Sequence, residues 1–326
     1  MRVIAVKDRK SHTLVLALVV PCYNEEEVLK ETIRQLSAEL KQLIHDEKIS
    51  PKSFVKFVDD GSRDQTWDII DSNAQENPLV KGLKLSKNEG HQNALLAGMA
   101  SVEGKCDCMV SLDADLQQDP KAIARMLVKY HEGYEIVLGV RSDRASDTVF
   151  KKMTAEGYYR VMQLMGVELQ FNHADYRLMS QRAVVFFLQF KERNLFIRGI
   201  VKLIGLKTTT VSFTSGERFA GESKYPLKKM LSFAWDGITS FSVLPLKFIM
   251  WTGFIIFVLS IVIGIHSLYI VLFTDEAVPG WASTVLPMYF MGGVQLLAIG
   301  ILGEYIGKIY KETKGRPRFF VEEEIE

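Results

Sequence analysis

Cysteine is scarce in this chain, and that scarcity excludes two common architectures. Cys22, Cys106 and Cys108 are too few and too poorly spaced for a disulfide framework or a zinc site. They fit a reducing, cytosolic compartment, with Cys106 and Cys108 flanking and entering a core strand. Net charge is almost absent: 40 basic residues stand against 39 acidic ones, a formal +1, so nothing marks a nucleic-acid binder. There is no internal repeat, no low-complexity segment and no G-x-G-x-x-G, which weakens a dinucleotide dehydrogenase. The run Gly216-Glu217-Arg218-Phe219-Ala220-Gly221-Glu222-Ser223-Lys224 has G-x-x-x-x-G, but Glu222 stands where a phosphate-binding loop needs Lys, which rejects an ATPase. A signal peptide is not expected: residues 1–11 are charged, and the apolar run 14–20 is short and ends in Pro21.

What the chain has in quantity is apolar length near its C-terminus. Residues 248–274 contain no Asp, Glu, Lys or Arg, and neither do residues 277–303. Each run exceeds the ~20 residues that cross a bilayer core as a helix, and each is apolar on every face. The alternative is a pair of helices buried in a soluble core. The joining segment 275–284 holds two acids and no Lys or Arg, whereas Lys247 precedes the first run and Lys308, Lys311, Lys314, Arg316 and Arg318 follow the second. The positive-inside bias therefore puts both ends in the cytoplasm and the short loop outside. Two basic amphipathic stretches, 149–167 and 226–245, are helical in pattern and suit either the membrane interface or packing on a sheet.

Residues 14 to about 142 alternate short apolar runs with helical stretches. Strands are expected at 14–20, 54–58, 82–85, 109–112 and 136–140, and helices at 26–45, 66–77, 92–101 and 121–131. This alternation predicts an α/β domain with a mostly parallel sheet covered on both faces.

The chemistry-bearing residues follow those strands. Asp113-Ala114-Asp115 closes an apolar run, placing two carboxylates at the carboxyl end of a strand, where open α/β sheets bind ligands. Two hard oxygen ligands, with Gln117 a third, suit Mg²⁺ or Mn²⁺ held partly by a diphosphate. A polar turn with Asp119 capping the next helix and Pro120 at its first position is compatible with the same residues. The loop Pro21-Cys22-Tyr23-Asn24-Glu25 offers a ring, an amide and acids for a nucleobase, or simply starts a helix. Asp59-Asp60-Gly61 suits ribose or base contacts, or an Asx-type turn. Asn88-Glu89-Gly90-His91-Gln92 opens a helix whose amide N–H groups, with His91, could face a phosphate or a sugar. Arg141 ends the fifth strand, and Arg218 and Lys224 are candidate phosphate grips.

Taken in order, V-V-P-C-Y-N-E, D-D-G-S-R-D-Q-T, N-E-G-H-Q-N-A-L-L-A-G, D-A-D-L-Q-Q-D-P, D-Y-R-L-M-S and E-R-F-A-G-E-S-K-Y-P-L-K-K-M resemble the family 2 glycosyltransferases. More narrowly they are similar to the membrane-anchored polyprenyl-phosphate glycosyltransferases, especially the bactoprenol glucosyltransferases. The dolichol-phosphate mannosyltransferases are related. The resemblance runs from about residue 14 to 318.

That resemblance implies a GT-A fold and a nucleotide-diphosphate sugar donor. It implies donor binding by Pro21, Tyr23, Asn24, Glu25, Asp59, Asp60, Gln92, Asp113 and Ala114, and a divalent metal on Asp113, Asp115 and Gln117. Arg141, Arg177, Arg218 and Lys224 would hold phosphates of donor or acceptor. Asp115, Asp175 and Arg177 form the implied catalytic group, with Asp175 orienting Arg177 or the acceptor, or acting as a base. The implied layout is a cytoplasmic domain over 1–225, an amphipathic segment at 226–247, two spans within 248–309 and a cytoplasmic tail at 310–326. The expected partners are a nucleotide sugar, a polyprenyl-phosphate acceptor and membrane lipid, with no nucleic acid, and a homo-oligomer is implied. The expected reaction moves glucose from UDP-glucose to undecaprenyl phosphate on the cytoplasmic face of a bacterial inner membrane. Another sugar, a membrane scaffold without catalysis, and a soluble enzyme with other acceptors remain as alternatives. A processive synthase is disfavoured because Q-x-x-R-W is absent and there are only two spans.

Overall fold

A computed structural model describes residues 13–142, 173–193, 197–214, 239, 242–273 and 280–326. Two compact units divide them, one built on a sheet and the other on two long apolar helices.

The sheet unit starts with β1 (Leu16–Cys22), α1 (Glu26–His45), β2 (Phe54–Asp59), α2 (Thr66–Glu76), β3 (Val80–Leu85), α3 (His91–Ser101), β4 (Cys108–Ser111), α4 (Ala122–His131) and β5 (Ile136–Arg141). It continues with β6 (His173–Ser180), α5 (Gln181–Leu188), α6 (Ile197–Leu203) and β7 (Thr208–Phe213). Its last strand, β8 (Val321–Ile325), comes from the C-terminus. The sheet order is β7-β5-β6-β4-β1-β2-β3-β8. β1 pairs in parallel with β2 and β4, and β2 with β3. β6 runs antiparallel between β4 and β5, and β8 runs antiparallel along β3.

Every residue of β1 and β2 is buried, as interior strands of a doubly covered sheet are, with Lys56 and Asp59 of β2 the charged exceptions in otherwise apolar runs. Period-2 alternation sends Leu16, Leu18 and Val20 into a cluster with Leu29, Ile33, Leu36 and Leu40 of α1. Val19 points the other way, where Gly98 of α3 comes so close that a Cβ there would stand 2.4 Å from Val19 Cγ1. Pro21 lies inside β1, yet the ladder to β4 ends at the Val19–Ser111 pair, so its missing N–H removes no ladder bond. α1 buries Leu29, Ile33, Leu36, Leu40 and Leu43 at helical spacing and carries Glu26 and Glu27 in its first turn, where the helix dipole favours acids.

Element positions differ from the sequence expectation by a residue or two, and β8 was not expected. The segment anticipated as a tail adds an acidic strand to the sheet edge. There Glu324 Oε1 lies 2.7 Å from the buried Lys56 Nζ, and Glu322 Oε1 lies 3.1 Å from Lys84 Nζ.

The second unit holds α7 (Leu244–Phe273) and α8 (Trp281–Thr313). At 30 and 33 residues they measure about 45 and 50 Å, longer than the ~30 Å hydrocarbon core. Phe248, Phe254, Phe257, Leu296 and Leu297 point outward, which is how a lipid-facing helix differs from a soluble core helix. Lys308 bonds to Thr239 Oγ1, and the Tyr305 hydroxyl donates to the Ser242 carbonyl at 2.6 Å. The amphipathic stretch 149–167 and most of 226–245 lie outside the described residues.

Candidate active site

Because β1 to β4 are parallel, their carboxyl ends share one edge of the sheet, and four loops meet there. The first two are cross-linked. Asn24, at φ +53°, accepts the Arg63 N–H on Oδ1 (2.9 Å) and donates its own N–H to Ser62 Oγ (3.0 Å). The Glu25 N–H reaches Thr66 Oγ1 (2.9 Å), and the Glu26 N–H reaches Asp64 Oδ2 (3.2 Å). Tyr23 remains 40% exposed at the rim, available for stacking.

Asp59 and Asp60 are both buried, and that burial pushes both carboxyls above the usual range. Asp59 accepts the Ser62 N–H at 3.3 Å. Asp60 accepts the amides of Glu89 (2.8 Å) and Gly90 (2.9 Å), tying the β2 loop to the start of α3. Gly61 makes this possible, at φ +64° and with its Cβ position only 2.5 Å from the Lys87 carbonyl carbon. Gln92 sits one residue into α3 and accepts the Ile197 N–H at 3.2 Å.

The β4 loop carries Asp113, Ala114 and Asp115. Asp113 Oδ1 stands 3.6 Å from His91 Nε2, and Asp113 Oδ2 accepts from the Gln118 amide at 2.6 Å. Asp115 Oδ1 accepts the Gln117 N–H at 3.2 Å in a turn that passes Leu116 at φ +57°. Thr32 donates to the Ala114 carbonyl (2.7 Å), and the Tyr176 hydroxyl to the Asp119 carbonyl (3.0 Å). The sequence reading missed Thr32, Tyr176 and Gln118 as braces of this loop. Thr32 and Tyr176 come from distant elements, and nothing local separates Gln118 from Gln117.

Antiparallel β6 brings its beginning to the end of β4. The Ser111 hydroxyl donates to the Asp175 carbonyl at 2.9 Å. Asp175 and Arg177, two apart on a strand and so on one face, form an ion pair in which Arg177 is fully buried. Arg141 ends β5, with β6 lying between it and β4, and is exposed. Arg218 and Lys224 lie outside the described residues.

The oxygen donors of Asp113 and Asp115 suit a hard divalent cation whose shell a substrate would complete. Among the described residues no cluster of three or more His, Cys, Asp or Glu could hold a metal. Two carboxylates completed by substrate phosphates and water would be the Mg²⁺ pattern.

Residues 17–186 match the family described as Glycosyl transferase family 2. The chain belongs to that family. This glycosyltransferase, whose mostly parallel sheet is of the GT-A type, is 50% identical over 308 residues to "Uncharacterized glycosyltransferase YkoT" of Bacillus subtilis (strain 168), covering 94% of this chain and 91% of the relative. It is 37% identical over 311 residues to "Bactoprenol glucosyl transferase" of Shigella phage SfX, covering 94% and 98%. A homologue in Escherichia coli (strain K12), "Prophage bactoprenol glucosyl transferase homolog", is 36% identical over 310 residues, covering 94% and 98%. The glycosyltransferase also has two helices long and apolar enough to cross a membrane.

Proposed function

We propose that the protein transfers glucose from UDP-glucose to undecaprenyl phosphate on the cytoplasmic face of a bacterial inner membrane, inverting the anomeric configuration. The observation that carries this reading is similarity over 94% of the chain to a bactoprenol glucosyl transferase. Residues 1–225 form the cytoplasmic catalytic domain, 226–247 an interfacial segment and 248–309 the two spans, and 310–326 return to the cytoplasm, where β8 closes the edge of the catalytic sheet.

The acceptor phosphate is a monoester whose second pKa is about 6, so it is already a dianion near neutral pH and needs little help from a base. Catalysis then rests on positioning and on stabilising charge on the departing nucleotide. Pro21, Tyr23, Asn24, Glu25, Asp59 and Asp60 shape the nucleoside end, and Gln92 and Ala114 border the sugar. Asp113 and Asp115, with Gln117, would hold Mg²⁺ or Mn²⁺, which supplies positive charge at the diphosphate. Asp175 orients Arg177 toward the acceptor or the diphosphate, and Arg141, Arg218 and Lys224 grip phosphate oxygens.

The test incubates purified, detergent-solubilised protein with undecaprenyl phosphate and a panel of radiolabelled nucleotide sugars, following label into the organic phase. Transfer from UDP-glucose, lost with EDTA and in Asp115→Ala, is expected. Transfer from a different donor would replace the sugar, and none from any donor by folded protein would refute the lipid-acceptor reading.

A further inference from the structure

Gln118 is 2% exposed at the floor of the β4 loop, five residues beyond Asp113. Its amide nitrogen donates to Asp113 Oδ2 at 2.6 Å, and its amide oxygen accepts the Asp113 backbone N–H at 3.0 Å. This closes a two-point ring between one side chain and one residue. A terminal carboxamide of this length makes both bonds: Glu has no donor when ionised, Met offers neither group, and Asn is a methylene short. The surroundings leave Gln118 little freedom, since the loop is bound on either side through the Ala114 and Asp119 carbonyls.

We propose that Gln118 is the positioning residue that fixes the rotation of the Asp113 carboxylate, and so sets how Asp113 meets the cation and diphosphate of the donor. The inference rests on the reading of Asp113 as a donor-site ligand and deepens it. A carboxylate held at one oxygen by a buried amide, and at its own backbone by the same side chain, is confined to one orientation before any ligand arrives. Losing such a partner behind a metal-binding carboxylate typically costs about 10–100-fold in metal affinity. Gln117, between Leu116 and Gln118, has its backbone N–H held by Asp115 Oδ1 at 3.2 Å.

The experiment measures Mn²⁺ binding to the full-length protein in detergent by electron paramagnetic resonance, with and without UDP. It compares wild type, Gln118→Met, Gln118→Asn and Asp113→Ala, each checked for folding by its thermal transition. Both Gln118 variants are expected to weaken Mn²⁺ binding in the presence of UDP by about 10–100-fold. Steady-state assays should show the Mn²⁺ concentration for half-maximal rate rising by a similar factor, with a smaller fall in kcat at saturating Mn²⁺. Gln118→Asn keeps the carboxamide but falls a methylene short of Asp113, and serves alone if the Met variant unfolds. Wild-type Mn²⁺ affinity in a folded Gln118 variant, with binding lost in Asp113→Ala, overturns the positioning role and leaves the donor-site reading standing. Undiminished Mn²⁺ binding in Asp113→Ala overturns that reading, and this inference with it.

Discussion

Glu324→Gln should destabilise the sheet unit through a lysine 268 residues away in sequence. Lys56 lies on central strand β2 with its side chain 1% exposed, and its ammonium meets Glu324 Oε1 at 2.7 Å and the Ile325 carbonyl at 3.2 Å. Burial pulls its pKa below the usual lysine value, and Glu324 opposes that shift. Removing one member of a buried pair costs about 3–5 kcal/mol. Here Glu324 is 33% exposed and Gln keeps an acceptor, so the expected loss is about 2 kcal/mol at pH 7. The pH dependence fixes the cause. A lysine whose folded pKa is depressed binds fewer protons folded than unfolded, so stability rises with pH between the two values. The variant depresses that pKa further, so its rise starts at lower pH and its deficit narrows as alkaline pH removes the Lys56 proton. Urea unfolding in detergent, followed by tryptophan fluorescence at pH 7 and about pH 10, would measure both quantities, and Lys56→Met/Glu324→Gln should recover most of the loss because no buried charge remains. A deficit under about 0.5 kcal/mol at pH 7, or one unchanged at alkaline pH, would refute the reasoning.

Gly61→Ala should cost about 2 kcal/mol or more, because it combines a left-handed residue with a Cβ 2.5 Å from the Lys87 backbone. It should also weaken UDP binding by shifting the Asp59–Asp60 loop; a thermal transition and a UDP titration both matching wild type would contradict this. Asp175→Asn removes the carboxylate paired with the buried Arg177 guanidinium, and should lower kcat at least about tenfold while UDP affinity stays near wild type. Loss of UDP binding instead would place Asp175 at the donor.

The parts of the fold that were legible in the sequence are those whose signal is local. α1 stands at residues 26–45 as its periodicity predicts, because eight of its residues on one face are buried. The long apolar runs mark both helices of the second unit, although α8 continues through Lys308 and Lys311 because charge ends an apolar run without ending a helix. β1 was expected to stop at Val20, since Pro21 reads as a terminator; it continues to Cys22 because the neighbouring β4 ladder has already ended. β8 was illegible for a different reason. Val321-Glu322-Glu323-Glu324-Ile325 has little apolar content, and what selects it as a strand is a line of lysines on β2, β3 and the turn before β4. The loop after β4 shows the same limit at the scale of two residues. Gln117 and Gln118 are identical in type and adjacent, so the sequence cannot say which one faces Asp113. The turn at Leu116 decides it: one glutamine's backbone N–H goes to Asp115, and the other's carboxamide goes to Asp113. Local patterns thus place a carboxylate at a strand end, but its orientation depends on Thr32, Tyr176 and the path of the loop, which become neighbours only when the chain has folded.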